Sequence, residues 1–191
     1  MRLTSENKRK ITHRIRAGAA KTFREHGYDA VSLDRLMEEA NLTRGAFYAH
    51  YRSKAELFLD VVRHEHPLLV MLRSRTGESP DALYAQMSKI FEDYLNIAHL
   101  EEIFRGCSLA ALTGDVTRAK PEVKLAYGEA FNAICAEMAR EQKNPQSAYI
   151  PALIMATGAI QAAKAMEEFD QRRTLLEISL STFRDLLPRP G

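Results

Sequence analysis

The chain has 191 residues, of which 46% are hydrophobic and 27% charged, with only 9 Gly and 7 Pro. This composition excludes a disordered or collagen-like chain and is typical of a packed globular protein. The net charge of +2 is unevenly distributed, because residues 1–58 carry 12 Lys/Arg against 7 Asp/Glu, whereas residues 59–191 carry 15 against 18. The basic N-terminal part favours a surface that binds phosphate.

The residue pattern predicts an all-α protein of about nine helices. Alternating runs of β-branched residues are absent, and helix-forming residues are abundant. No apolar stretch reaches the ~20 residues that span a bilayer, and no signal peptide is recognised. Cys107 and Cys135 form neither a disulfide framework nor a CxxC motif, so we expect a cytoplasmic protein.

Four helices are predicted in the first third of the chain, over about residues 5–25, 33–40, 43–50 and 54–66. Ser32, Thr43 and Ser53 are residues of the type that caps a helix N-terminus. Pro67 must end or kink the fourth helix, because it has no N–H for the helical ladder. The second and third helices, joined by a short break, predict a helix-turn-helix.

Five further helices are predicted over about residues 81–99, 101–113, 121–142, 146–169 and 172–187. Gly114 is expected to close the second of these, and Pro121 suits the first turn of the third.

The helix over residues 43–50 has two distinct faces. Arg44 and Tyr48 are neighbours on one face, whereas Phe47 and Tyr51 form a second face suited to packing inward. A helix anchored by aromatic residues, with a basic residue and a phenol facing outward, suits the major groove of DNA. This pattern predicts a DNA-binding domain.

Chemistry assigns roles to three residues at the start of this helix. Thr43 is placed to hold a phosphate or a base edge, and Arg44 has the planar fork that pairs with guanine O6 and N7. Gly45 lets the backbone approach the groove closely. An alternative for Thr43, and equally for Ser32, is that each is only a helix cap.

The stretch from about Ile11 to Val62 resembles the DNA-binding domain of TetR/AcrR-family transcriptional regulators. The matching residues are Ala19-Ala20, Phe23, Gly27-Tyr28, Ser32, Leu36, Ala40, Leu42, Thr43, Gly45, Phe47-Tyr48, His50-Tyr51, Ser53-Lys54 and Leu57. Asn41 stands where the family usually has Gly, a mild departure because Asn tolerates the left-handed conformation.

The resemblance implies that Tyr48, His50 and Lys54 contact phosphates, and that Ser32 does so from the start of the preceding helix. It also implies a homodimer with a C-terminal helical body that binds a small ligand. We therefore expect a helix-turn-helix head over residues 1–53 and a ligand-binding and dimerisation body over residues 54–191.

Aromatic and apolar residues of the body are candidates for the lining of a ligand cavity. They are Phe91, Tyr94, Phe104, Cys107, Tyr127, Phe131 and Met155. The alternative is that they form only the core of the helical bundle, which needs such residues in any case.

Cys107 has a second candidate role. The segment from Arg105 to Leu109 resembles the Gly-Cys segment of TetR-family members that sense electrophiles or oxidants, and Arg105 nearby would favour the reactive thiolate. The alternative is a thiol that only packs, as buried cysteines often do.

The last two predicted helices are candidates for a dimer interface. Small residues permit a close approach of two helices, and an apolar stripe left over from the core needs a partner. The candidate residues are Ala152, Ala156, Ala159, Ala163, Leu176, Leu180 and Phe183. The alternative is that both stripes are used within the body itself.

The sequence thus favours a ligand-responsive repressor whose partners are an operator duplex, an unknown inducer and a second copy of the chain. A DNA-binding protein of architectural function without a ligand is one alternative. A helical-bundle enzyme is another, but no GxSxG, HExxH or P-loop motif occurs, and neither a cofactor nor a metal site is predicted.

Overall fold

In the computed structural model, which describes residues 5–101 and 106–188, every regular element is a helix, as the composition predicted. The α-helices are α1 (Ser5–His26), α2 (Leu33–Glu39), α3 (Arg44–Tyr48), α4 (Lys54–His64), α5 (Pro67–Arg73), α6 (Pro80–Tyr94), α7 (Ile97–Glu101), α8 (Ser108–Ala111), α9 (Thr113–Arg118), α10 (Pro121–Met138), α11 (Ile150–Lys164) and α12 (Phe169–Leu186). A 3₁₀ helix, Gln146–Tyr149, precedes α11. Within the described ranges, no helix combines the length and apolar character needed to cross a membrane.

The helix starts of the N-terminal region follow from local sequence signals. The side-chain oxygens of Ser32, Thr43 and Ser53 each accept a hydrogen bond from the backbone N–H three residues later, as expected of N-caps. Asn41 adopts the predicted left-handed conformation, with φ of 51°. The predicted caps and the turn between α2 and α3 are therefore confirmed.

Two compact units make up the described chain, and they interleave along the sequence. The first contains the residues up to Glu65 together with Ala111–Ala130, and the second contains those of 66–110 and 131–191. The division into a head over residues 1–53 and a body over residues 54–191 concerns function and stays a prediction.

The core of the first unit joins α1, α2, α3 and α4 to the segment from Leu112 to Ala126. Its largest fully buried side chains include Ile15, Phe23, Leu36, Phe47 and Leu57. Phe23, Tyr28 and Phe58 form an aromatic cluster, with ring centroids 4.7 to 5.7 Å apart. This core fixes the positions from which α3 projects.

The second unit is organised around the pairing of α11 with α12. Small side chains of α11 are buried there, and Phe183 of α12 stacks on Phe91 of α6 with ring centroids 4.3 Å apart. Arg75 is also buried, and it donates to the backbone oxygens of Leu72, Leu83 and Glu137. Leu72 and Glu137 lie in the last turns of α5 and α10, where helix geometry leaves carbonyl groups without a regular helical partner.

Several predicted helix boundaries in the second half are wrong. Gly114 does not close a helix but lies within α9, whose neighbours Leu112 and Val116 are buried in the core. Burial of an apolar pair outweighs the cost of about 1 kcal/mol for glycine within a helix.

The helices predicted over residues 81–99, 121–142 and 146–169 are also shorter in the structure, since α6 ends at Tyr94, α10 at Met138 and α11 at Lys164. The described residues therefore contain twelve α-helices instead of about nine.

Candidate nucleic-acid interface

Helix α3 presents one polar face and one buried face. Tyr48 is 58% exposed and the Arg44 side chain 59% exposed, whereas Phe47 and Tyr51 are buried. The Phe47 ring lies 5.3 Å from that of Tyr48 and 5.7 Å from that of Tyr51. The two faces predicted from the sequence are thus confirmed as exposed and buried.

Tyr51 fixes the segment after α3 to α4. Its hydroxyl donates to Asp60 Oδ2 at 2.7 Å, and the same carboxylate lies 3.6 Å from the Arg16 guanidinium of α1. Burial and then the Asp60 carboxylate raise the pKa of Tyr51 well above its usual value, so the phenol stays neutral and keeps donating. Three elements of the first unit are joined by this network.

The Arg44 side chain, at the start of α3, reaches across the helix-turn-helix to α2. Its Nη1 is 3.3 and 3.4 Å from the two carboxylate oxygens of Asp34. Both side chains are largely exposed, so the pair contributes little to stability and is easily exchanged for another acceptor. The guanidinium is therefore available to a ligand at the cost of one weak contact.

Ser32, Thr43 and Gly45 are all exposed. The first two use their hydroxyl oxygens as caps, with N···O distances of 3.2 and 3.4 Å. A Cβ added to Gly45 would approach nothing closer than Thr43 Oγ1 at 3.9 Å, and its φ is not positive. Neither the backbone conformation nor the packing requires glycine at this position. The space in front of Gly45 is open to solvent.

His50 is held by Thr12, a residue to which no sequence motif points. The Nδ1 atom of His50 lies 2.8 Å from Thr12 Oγ1 of α1, and that hydroxyl also donates to Lys8 O at 3.0 Å. Because the Thr12 hydroxyl donates its proton to Lys8 O, its oxygen accepts the hydrogen bond from His50. Nδ1 of His50 must therefore carry a proton. Burial, followed by the charge of Lys8, lowers the pKa of His50 from its ordinary value of 6.5.

Lys54 points toward the first unit's own backbone. Its Nζ donates to Tyr28 O at 2.8 Å and to Val31 O at 2.9 Å, and it lies 4.2 Å from the centroid of the Tyr28 ring. These contacts tie the start of α4 to the loop between α1 and α2. An ammonium has three N–H groups, so one is left for another acceptor.

Arg14 supports the turn before α3, a role that the sequence did not predict. Its Nη2 donates to Ala40 O at 2.5 Å and to Asn41 O at 3.3 Å. Lys21 of α1 likewise reaches Glu39 of α2, with 2.5 Å between nitrogen and oxygen. These contacts join residues 18 to 27 positions apart in the chain, so no local sequence pattern predicts them.

The residues predicted to line a ligand cavity do not all lie in one unit. Phe91 and Tyr94 are buried together in the second unit, with ring centroids 5.8 Å apart, while Phe131 and Met155 are partly buried there. Tyr127 instead belongs to the first unit, where its hydroxyl is 3.1 Å from Thr113 Oγ1. The predicted contribution of Phe104 lies outside the described residues.

Both cysteines are free thiols in buried positions of the second unit. Cys107 directly precedes α8 and is 2% exposed. Cys135 on α10 is fully buried, and burial raises the pKa of its thiol to about 11. A thiol with so high a pKa is almost entirely protonated and unreactive at neutral pH.

Most residues predicted for the dimer interface are buried within the single chain. Ala152, Ala156, Ala163, Leu176 and Phe183 are each at most 2% exposed, with Ala159 at 8% and Leu180 partly exposed. The apolar side chains that α11 and α12 expose are different ones, namely Ile154, Phe169, Ile178 and Leu186. The stripe predicted for the interface is the one that the bundle core uses.

Comparisons with known proteins show that the N-terminal region is similar to bacterial regulators. Residues 15–61 match the family described as bacterial regulatory proteins, tetR family. The HTH-type transcriptional repressor AcnR of Corynebacterium diphtheriae is 39% identical over 63 residues, 33% of this chain and 33% of that protein. The transposon Tn10 TetC protein of Escherichia coli is 33% identical over 76 residues, 39% of this chain and 37% of that protein. These matches thus span about a third of each of these two relatives.

Similarity of fold extends over nearly the whole chain. The crystal structure of the reduced form of Escherichia coli NemR aligns with a TM-score of 0.72 at 16% identity, covering 95% of this chain and 99% of that one. A tetR-family regulator of Cytophaga hutchinsonii aligns with a TM-score of 0.70 at 18% identity, covering 97% and 96%. At such identities the likeness establishes a common fold.

Proposed function

We propose that this chain, whose residues 15–61 match the tetR family of bacterial regulatory proteins, is a transcriptional repressor that binds operator DNA as a homodimer and is released by an inducer. The observation that carries the proposal is the exposed Arg44–Tyr48 face of α3, anchored by the buried Phe47 and Tyr51. A rigidly anchored, polar helix face is the feature that a major-groove reader requires. The protein acts in the cytoplasm and is not an enzyme under this proposal.

The proposed contacts fall into two classes. Arg44 reads a base, because its guanidinium can exchange the exposed Asp34 carboxylate for guanine O6 and N7. Phosphate contacts come from the remaining polar residues, which position the protein without reading sequence. These residues are Ser32, Thr43, Tyr48, His50 and Lys54. Gly45 leaves room for the DNA backbone, since nothing lies near the place of a Cβ there.

Fluorescence anisotropy with a duplex from the region upstream of the protein's own gene tests the proposal. Arg44→Ala should weaken binding by ~1–3 kcal/mol and relax the preference at one base pair in each half-site. Tyr48→Phe should weaken all sequences alike, because it loses a phosphate contact. Lys89→Ala, an exposed change on α6, is the control. If Arg44→Ala binds every duplex as the parent does, α3 is not the reading helix.

The homodimer is proposed to form through the outer faces of α11 and α12. Ile154 and Ile178 are 56% and 61% exposed in the single chain, and Phe169 and Leu186 add to the same two helices. Large apolar side chains exposed in such a concentration indicate an interaction surface. The buried alanines that were predicted for the interface instead allow α11 and α12 of one chain to pack closely.

The inducer binds or modifies the second unit under this proposal, and two chemistries are open. One is an apolar or aromatic molecule that packs near Phe91 and Tyr94, which are buried together. The other is an electrophile or oxidant that reacts with Cys107. Either must favour a conformation that fits DNA poorly, since equal affinity for both conformations shifts no equilibrium.

A mild quinone distinguishes these chemistries. Under the electrophile version, it should release DNA from the parent and from Cys135→Ser but not from Cys107→Ser. The high pKa of the Cys135 thiol, about 11, is the reason to expect that this cysteine does not contribute. Equal release from the parent and from Cys107→Ser, measured by anisotropy, would assign Cys107 to packing.

A further inference from the structure

A cavity of about 460 Å³ lies within the first unit, and none of the residues proposed to contact DNA lines it. Its walls are the loop after α1, the first turns of α4, and the segment from α9 to the start of α10. Tyr28, Asp29, Phe58, Ala119, Lys120 and Glu122 are among the residues that line it. This volume falls within the range of about 300–1,000 Å³ that is usual for small-molecule sites.

The floor of the cavity is aromatic and apolar. Phe58 and Val123 are buried, and the Tyr28 ring lies 4.7 Å from the Phe58 ring. Tyr28 already takes part in a cation–π contact, with Lys54 Nζ 4.2 Å from its ring centroid. Such a floor suits the flat body of an aromatic molecule.

The charges of the lining do not balance. It contains four carboxylates, those of Asp29, Glu56, Asp115 and Glu122, against the two cations Arg118 and Lys120. The Arg118 charge is used within the wall, because its Nη2 lies 3.1 Å from Asp115 Oδ1.

The remaining charge is negative and lies at exposed positions. Glu56 directs one oxygen at the backbone N–H of Arg52, at 2.6 Å, as part of the cap of α4. Asp29 and Glu122 are both exposed, and within the lining Lys120 is the cation left to balance them. The opening therefore presents more carboxylate than ammonium to an incoming ligand.

We propose that this cavity binds a small organic cation with an aromatic body. The ring system lies against Tyr28 and Phe58, and the cationic group lies near the Asp29 and Glu122 carboxylates. Apolar burial supplies affinity, while the carboxylates select the charge. This site is separate from the inducer site proposed for the second unit, and it does not depend on DNA binding.

Isothermal titration calorimetry with the full chain, without DNA, tests this proposal. Three probes share one ring system and differ in charge: (2-naphthylmethyl)trimethylammonium, 2-naphthylmethanol and 2-naphthylacetate. The cation should bind about tenfold or more tightly than the alcohol, and the acetate should bind most weakly. The double variant Asp29→Asn/Glu122→Gln should remove most of the cation's advantage while leaving the alcohol's affinity unchanged.

Two further variants locate the binding. Ala119→Trp fills the cavity from a partly exposed position and should abolish binding of the cation, with folding checked by circular dichroism. Glu129→Gln removes an exposed carboxylate of α10 that does not line the cavity, and it should bind as the parent does. Absence of binding up to about 1 mM, equal affinity for the three probes, or unchanged binding to a folded Ala119→Trp variant would overturn the proposal.

Discussion

The three basic side chains that are proposed to contact DNA already have partners within the chain. Arg44 lies beside Asp34, His50 beside Thr12, and Lys54 donates to two backbone oxygens. Only the Arg44 contact must be given up, because Lys54 keeps an N–H for a further acceptor and His50 gains one at Nε2 when its ring is protonated. The intramolecular bonds of His50 and Lys54 fix these side chains in advance, which lowers the entropy lost on binding.

DNA binding should strengthen as the pH falls, through His50. In the free protein, burial and Lys8 lower its pKa below 6.5, and Thr12 holds Nδ1. A phosphate at Nε2 favours the imidazolium, so the pKa is higher in the complex than in the free protein. Affinity should therefore rise as the pH falls through the bound-state pKa, and level off below the free-protein pKa.

The measurement is DNA anisotropy from pH 8 to about 5.5 at constant ionic strength, because phosphate contacts are salt-dependent. His50→Gln should flatten the component of the pH profile that His50 causes. His64→Gln, an exposed histidine of α4 paired with Asp60, is the matched control. Identical profiles for the parent and His50→Gln would show that His50 does not contact phosphate.

At the scale of elements, the sequence predicted best where a local signal decides the structure. The caps Ser32, Thr43 and Ser53 and the left-handed Asn41 depend on only a few neighbouring residues. The error at Gly114 has the opposite origin, since burial of its neighbours in a distant core determines the helix there. The same applies to the candidate site, where α3 was predicted but its supports from α1 were not.

Asn41 gives a test of the turn between α2 and α3. Its φ of 51° places it in the left-handed region, where a β-branched residue is strained. Asn41→Val should therefore lower the free energy of unfolding by ~1–2 kcal/mol, whereas Asn41→Gly should leave it nearly unchanged. Urea denaturation followed by circular dichroism measures both. An equal loss in the two variants would mean that the Asn41 side chain, and not its backbone conformation, stabilises the turn.

At the scale of the whole molecule, the chain order hides which residues pack together. Residues 111–130 follow the start of the predicted body, yet they share a core with α1 and α4. Helical periodicity shows that a residue has an apolar face but not which partner covers it. Most of the predicted dimer residues are buried, because the stripe of α12 that contains Phe183 is covered by the chain itself.

Two substitutions on α12 separate the surface of the dimer from the core of the single chain. Ile178→Glu places a charge on a side chain that is 61% exposed, so it should give a folded monomer that binds DNA poorly. Phe183→Glu buries a charge against Phe91 and should unfold the second unit.

Leu125→Glu, at a residue 65% exposed on α10, is the control and should remain a dimer. Sedimentation velocity at micromolar concentration measures the assembly, and circular dichroism measures the folding. A parent that sediments as a monomer, or an Ile178→Glu variant that remains a dimer, would exclude this face of α11 and α12 as the interface.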